Sequence, residues 1–268
     1  MNTATLSDRE FSQFQSMIHQ IAGISLSSAK KPLVSSRLAK RLQEHQLSSY
    51  GDYFKVLAGG HDPDEIQTAV DLLTTNETYF FREPKHFDFM RDKILPHHQA
   101  GRPFRVWSAA SSSGQEAYSI AMILADRLGG QSWEVMASDI SVRVLEKART
   151  GLYPIEQVKH IPKNYLGNYC LKGVGSQSGS FLIDQNLRSR VDFKQVNLNK
   201  ALPQFGEFDL VFLRNVMIYF DADTKRQVVS RIVAQLKPGG HLLIGHSESL
   251  NGVTEGLRMI QPSVYRKP

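Results

Sequence analysis

The chain has a single cysteine, Cys170, among 268 residues, so no disulfide can close within it. Its neighbours Tyr169 and Leu171 offer no base to activate the sulfur, and the residue reads as an ordinary thiol. Long apolar runs are missing as well. The stretch between Asp209 and Arg214 is far shorter than the roughly 20 residues that cross a bilayer, so no direct membrane insertion is expected. The opening residues carry no basic region followed by a hydrophobic run, which predicts no secretory leader and a cytoplasmic protein. Nine histidines include no HExxH and no Cys/His pair at metal spacing, and the adjacent His97 and His98 point apart on a helix or a strand. No metal is expected.

What is present fits a folded, mixed-composition protein: 41% apolar and 22% charged residues. The length suits one large core or two modest ones. A net charge of +6 allows nucleic acid, an acidic protein surface or a membrane surface as partner and does not choose among them. Its distribution says more. Residues 30 to 41 hold Lys30, Lys31, Arg37, Lys40 and Arg41 and no acid. This is either a solvated helix face or a docking surface for an acidic partner.

The first hundred residues read as helices with short breaks. Ser7 followed by Glu10 is a capping-box start, and Phe11, Phe14, Met17, Ile18 and Ile21 keep helical spacing until Gly23. A second helix begins near Ser28 and buries Leu33, Val34, Leu38 and Leu42; shorter ones span 50–57 and 64–73. After Pro103 the pattern becomes strand, loop, helix, strand, helix, the signature of a mostly parallel sheet with helices on its faces. Strands are expected at 104–109, 133–138, 191–196, 208–213 and 241–245, a helix at 223–236, and a turn at Lys237–Gly240. Residues 161–190, with the glycine-rich run from Gly173, read as a small hairpin inserted at the sheet's rim.

In such a sheet ligands sit beyond the carboxyl ends of the strands, where the strand order reverses. The loop after the first strand, Ser108 to Glu116, has one glycine, so it is neither a GxGxxG dinucleotide loop nor a GxxxxGK[ST] phosphate loop. A nucleoside ligand without phosphates is favoured. Asp139 follows the second strand, where an acid either accepts hydrogen bonds from ribose hydroxyls or caps the next helix. Asn197 and Leu198 follow the third strand, Arg214 and Asn215 the fourth, and Glu116 opens the first helix of the layer. The segment from Thr74 to Phe87, with Asn76, Thr78, Arg82 and the aromatics Tyr79, Phe80 and Phe81, fits a covering piece between two domains.

Thr75-NETYFFR, Val106-WSAASSSGQEAYSIAM and Phe208-DLVFLRNVMIYF together resemble the CheR family of chemoreceptor methyltransferases, and the likeness extends from Gly23-ISLSSAKKPLVSSRLAKRL to Gly245-HSESL. The resemblance implies an α/β, Rossmann-like S-adenosylmethionine-dependent methyltransferase domain at 90–268 behind an all-helical receptor-recognition domain at 1–75. It also implies an interdomain segment at 76–89 that contributes to the cofactor site, and a small inserted antiparallel β-subdomain at 161–190. It places cofactor contacts at Asn76, Thr78, Arg82, Glu116, Asp139, Asn197, Leu198, Arg214 and Asn215, with Arg82 and Tyr219 near the reacting centre. Ser111-SSGQEAYS departs from the family's usual CSTGEEPYS, and Glu116 is the acid retained.

The implied reaction moves a methyl group to receptor glutamates, giving glutamyl methyl esters and S-adenosylhomocysteine during sensory adaptation. A glutamate with a pKa of about 4.3 is already ionised at neutral pH, so attack on a methyl sulfonium needs alignment and exclusion of water rather than a strong base. Lys30, Arg37, Lys40 and Arg41 are the expected contacts to the receptors' methylation helices, and the inserted subdomain is the place for a receptor C-terminal peptide, since some relatives add one there as an edge strand. Two other classes are weighed. A base-methylating enzyme would carry a [DN]PPY arrangement where this chain has Asn215-VMIYF, so no nucleic acid partner is expected. A non-catalytic binding module would have lost Asp139 or Asn215, and both remain.

Overall fold

Ser7 starts the first helix with the reciprocal pair its spacing predicts: its Oγ accepts from the Glu10 N–H at 3.3 Å, and its own N–H donates to Glu10 Oε2 at 2.8 Å. The computed structural model describes residues 4–99 and 101–268, so the expectations at 1–3 and at Ala100 lie outside it. Helix α1 (Asp8–Ala22) ends at Gly23, and α2 (Lys31–Glu44), α3 (Tyr50–Ala58) and α4 (Pro63–Leu73) follow. Their apolar faces, among them Phe14, Ile18, Leu38, Tyr53 and Val70, close one core. The covering segment then turns helical as α5 (Pro84–Phe89), which continues through a π-type turn at Met90–Ile94.

The second half runs β1 (Phe104–Ser108), α6 (Gln115–Leu128), β2 (Trp133–Asp139), α7 (Val142–Thr150), β3 (Leu152–Pro154), α8 (Lys163–Tyr169), β4 (Cys170–Lys172), β5 (Ser180–Ile183), α9 (Gln185–Arg188), β6 (Val191–Gln195), β7 (Phe208–Leu213), α10 (Ala222–Ala234), β8 (Leu236–Ile244), β9 (Arg258–Gln261) and β10 (Val264–Arg266). The main sheet has the order β6-β2-β1-β7-β8-β10-β9. Strands β6, β2, β1, β7 and β8 are parallel, and the chain winds outward from β1 in both directions, which puts the reversal of strand order between β1 and β7. Alternation along β1 sends Val106 into a core with Ile120 and Phe212, and Trp107 into the opposite one with Val228 and Ile232. This is a Rossmann-like α/β layer.

Two sequence expectations need correction, and one element went unread. Lys237–Gly240 is not a turn but part of β8, whose register against β7 shifts between Phe208 and Leu210. A Cβ on Gly240 would stand 2.9 Å from the Lys237 carbonyl oxygen and 3.1 Å from that of Phe208, so glycine lets the strand bulge there without stopping. The inserted sheet, order β3-β5-β4, recruits Leu152–Pro154, ahead of the expected start at 161. The hairpin β9–β10 adds an antiparallel edge that the periodicity did not announce, because β9 is exposed along its whole length.

Candidate active site

A cleft of ≈ 920 Å³, its open mouth included, lies beyond the carboxyl ends of β1, β2, β6 and β7. The fold gathers around it the four strand-end groups and the covering segment: Asn76, Thr78, Arg82, Glu116, Asp139, Asn197, Leu198, Arg214, Asn215 and Tyr219 all line it. Ala22 and Ile24 from the end of α1 complete one wall. They were not anticipated, since a small and a branched apolar residue beside a helix end give no sign in sequence of facing a ligand.

Asp139 is buried, with Oδ2 accepting from the Ser112 N–H at 2.9 Å and Oδ1 from the Ser141 N–H at 3.0 Å. Burial pushes its carboxyl upward and these N–H groups oppose the shift. The capping of α7 is shared: Asp71 on α4 takes the N–H groups of Val142 and Arg143 at 3.2 and 3.0 Å. Asp71 was missed in sequence because its partners lie 71 and 72 residues away.

Arg214, at the end of β7, is a buried guanidinium held between two acids. Its Nη1 donates to Glu116 Oε2 at 2.9 Å, and Nη2 donates to Glu83 Oε2 at 2.9 Å and to the Arg82 carbonyl at 2.5 Å. Ser108 Oγ donates to the other oxygen of Glu116 at 2.6 Å. Burial alone would raise the Glu83 carboxyl, but Arg214 and Asn215 draw it down to about 2, so it stays charged. Glu83 therefore belongs to the site although no sequence pattern selected it. Its backbone is left-handed, φ +58°, as is that of Phe81 at +54°. Such conformations are costly for residues with a Cβ and mark a segment fixed by its surroundings. Phe80 packs edge-on against Tyr153, and Phe81 stacks on Tyr165, so both aromatics seat the covering segment while Arg82 folds back to donate to the Glu77 carbonyl at 2.9 Å.

The other assigned residues divide by what they bond. Asn197 Nδ2 donates to the Ile21 carbonyl at 2.7 Å, tying the third strand end to α1, and Leu198 is a buried wall. Asn76 accepts from Ser112 Oγ through its carbonyl at 2.9 Å, and the Tyr219 carbonyl accepts from the Ser25 N–H at 2.7 Å. On α2 the cations are unequal. Arg41 bonds Glu44 and the buried Glu65, and Arg37 donates to the Thr74 carbonyl at 2.9 Å where the covering segment begins. Lys30 and Lys40 are exposed, Lys40 meeting only Glu44 at 3.4 Å. These four stand outside the cleft lining. Cys170, on the inserted sheet, has its thiol pushed up to about 12 by burial, which keeps it protonated.

Glu83, His86 and His246 bring three donor atoms within 4.8 Å of one another, but Glu83 is already the partner of Arg214, whose charge opposes a cation there. The cleft itself fits a sulfonium nucleoside. Its lining offers a buried carboxylate at Asp139, apolar side chains at Ile140, Val196 and Leu198, and a second carboxylate at Glu116, whose charge is shared with Arg214. The Arg214 Nε is buried and has no hydrogen-bond partner among the described residues.

A doubly wound sheet with an acid after its second strand and a polar cleft at the strand-order reversal has the architecture of an S-adenosylmethionine-dependent methyltransferase. Residues 76–266 match the family described as CheR methyltransferase, SAM binding domain, and residues 9–74 match CheR methyltransferase, all-alpha domain; the chain belongs to the CheR family. It is 41% identical over 263 residues to the chemotaxis protein methyltransferase of Escherichia coli K12, covering 97% of this chain and 91% of that protein. With chemotaxis protein methyltransferase 2 of Pseudomonas aeruginosa it shares 40% over 259 residues, 96% of this chain and 92% of that one. Among solved structures, the N-methyltransferase NodS of Bradyrhizobium japonicum matches at 14% identity and a TM-score of 0.43, over 74% of this chain and 95% of that chain. The enzyme transfers a methyl group from S-adenosylmethionine to glutamate residues of chemoreceptors in sensory adaptation.

Proposed function

We propose that the cleft residues divide this methyl transfer among three tasks. Asp139 holds the ribose, with Asn197 and Leu198 beside the base. Asn76, Thr78, Glu116, Arg214 and Asn215 complete the binding of the cofactor. Arg82 and Tyr219 face the reacting centre. Held by these residues, S-adenosylmethionine would supply an electrophilic methyl carbon and a neutral thioether leaving group to the glutamate oxygen. The chain's own work is to align that carboxylate and exclude water. Arg82 has a planar fork suited to orienting an anion, and its bond to the Glu77 carbonyl limits how tightly it grips the nucleophile.

The observation that carries this reading is that four strand ends and the covering segment meet at one cleft, with a buried acid where the ribose is expected. Residues 1–75 then serve as the receptor-recognition domain, 76–89 as the segment over the cofactor and 90–268 as the catalytic domain, working in the cytoplasm. A receptor C-terminal peptide adds to the inserted sheet at β4, a reading supported by that strand's position at the sheet edge and the exposure of Leu171 and Val174. Replacing Asp139 by alanine tests the cofactor site: loss of one charged hydrogen-bond partner weakens S-adenosylhomocysteine binding by about 10- to 150-fold in calorimetry. Unchanged affinity in a folded Asp139→Ala protein contradicts the assignment.

A further inference from the structure

After β7 the chain makes a tight turn. Asn215 is left-handed, φ +56°, and the next residues coil through Met217–Tyr219 to deliver Tyr219 to the cleft. Asparagine enters this conformation more readily than other residues with a Cβ, and a fixture outside the segment holds the turn it starts. Glu248, on the loop after β8, provides such a fixture. Its Oε2 accepts from the Asn215 N–H at 3.0 Å and from the Gly245 N–H at 2.7 Å, and its Oε1 accepts from the Ile218 N–H at 3.3 Å.

The carboxylate has no cationic partner among the described residues; backbone N–H groups meet its charge. Burial pushes its carboxyl upward while those N–H groups hold it down. The packing leaves no slack. A Cβ on Gly245 would stand 2.6 Å from Asn215 Nδ2 and 2.9 Å from Glu248 Oε2, so the loop after β8 lies directly against the loop after β7. On its other side, Asn215 Nδ2 donates to Glu83 Oε1 at 3.1 Å. Asn215 is thus gripped by one acid at its backbone and another at its side chain. Among the described residues, Glu248 is the one whose side chain reaches both ends of the turn, from Asn215 to Ile218.

We infer that Glu248 is a positioning residue for the methyl-transfer site, holding the turn 215–218 so that Asn215 presents to the cofactor cleft. This rests on the reading of Asn215 as a cofactor contact. A carboxylate suits the task because each of its oxygens accepts; an amide of the same shape turns one of them into a donor facing an N–H.

The test is a double-mutant cycle on S-adenosylhomocysteine affinity, measured by calorimetry on the full chain without receptor. Glu248→Gln binds about tenfold more weakly, as expected for loss of a charge-assisted bond, and Asn215→Ala weakens binding by a similar factor. The double variant binds no more weakly than the worse single one to within about twofold, because both changes remove the same contact. Glu248→Asp, which keeps the charge and shortens the reach, takes the place of the amide where the latter fails to fold, and weakens binding to a lesser degree. Normal binding by the Glu248 variant beside a weakened Asn215→Ala overturns this inference alone, and so does a double variant whose losses multiply. Normal binding by Asn215→Ala removes the cofactor contact and the inference together.

Discussion

His86 shows how one buried ring ties stability to pH. It bonds Ser263 Oγ at 2.9 Å and lies 3.4 Å from Glu83. Burial, reinforced by Arg214 and His246, pushes its pKa down to about 3, and Glu83 is too committed to Arg214 to reverse this. The folded ring refuses a proton that the unfolded chain accepts near pH 6.5, so its contribution is intact above that value and is lost as pH falls towards 3. Between pH 7 and 5 this costs about 2 kcal/mol, at roughly 1.4 kcal/mol per pH unit below the unfolded pKa. Urea unfolding at both pH values checks it: His86→Gln should lose about 2 kcal/mol less than the parent on acidification, and an equal loss contradicts the account. Glu83 was not legible in the sequence as a site residue. Glu83 meets Arg214 across 131 positions, and such pairing leaves no local pattern. Asp139 and Asn215 were legible because strand ends are marked by where apolar runs stop.

At the scale of elements, the cations of α2 and of the turn leading into it divide into structural and exposed ones. Arg41 pairs with Glu65, which is 4% exposed and also accepts from Tyr53 Oη, while Arg37 holds the end of α4. Arg41→Met should therefore destabilise the helical core by about 2–4 kcal/mol, since it strands a buried carboxylate. Reversing Lys30 and Lys40 to glutamate should change stability by no more than about 0.5 kcal/mol. The same pair should slow receptor methylation more at low salt than at high, because surface attraction is screened over roughly 8 Å near physiological strength. A salt series of rates at subsaturating receptor decides; if the double reversal matches the parent at low salt, the helix is an ordinary solvated face. The helices were readable from their 3.6-residue period and the parallel strands as short apolar runs between polar breaks. Lys237–Gly240 was misread because Pro and Gly usually end strands, and the bulge that accommodates them depends on β7, which no local window contains.

Across the whole molecule, the helical part and the α/β layer meet at the site itself. Ser25 donates to the Tyr219 carbonyl, Asn197 to that of Ile21, and Asp71 takes two N–H groups of α7. The residues proposed to face the receptor and those proposed to bind the cofactor are thereby held in one frame, a joining that sequence indicated only as two domain types with an aromatic segment between them. The central claim is transfer of a methyl group to a receptor glutamate. Its most direct test incubates the enzyme with S-adenosylmethionine labelled in the methyl group and a receptor methylation fragment, then maps the label by peptide mass analysis before and after mild base. Label on a glutamate side chain, released by base as methanol and abolished when the mapped glutamate is changed to alanine, is the predicted result; base-stable label on nitrogen, or none on any cognate receptor fragment, would contradict it.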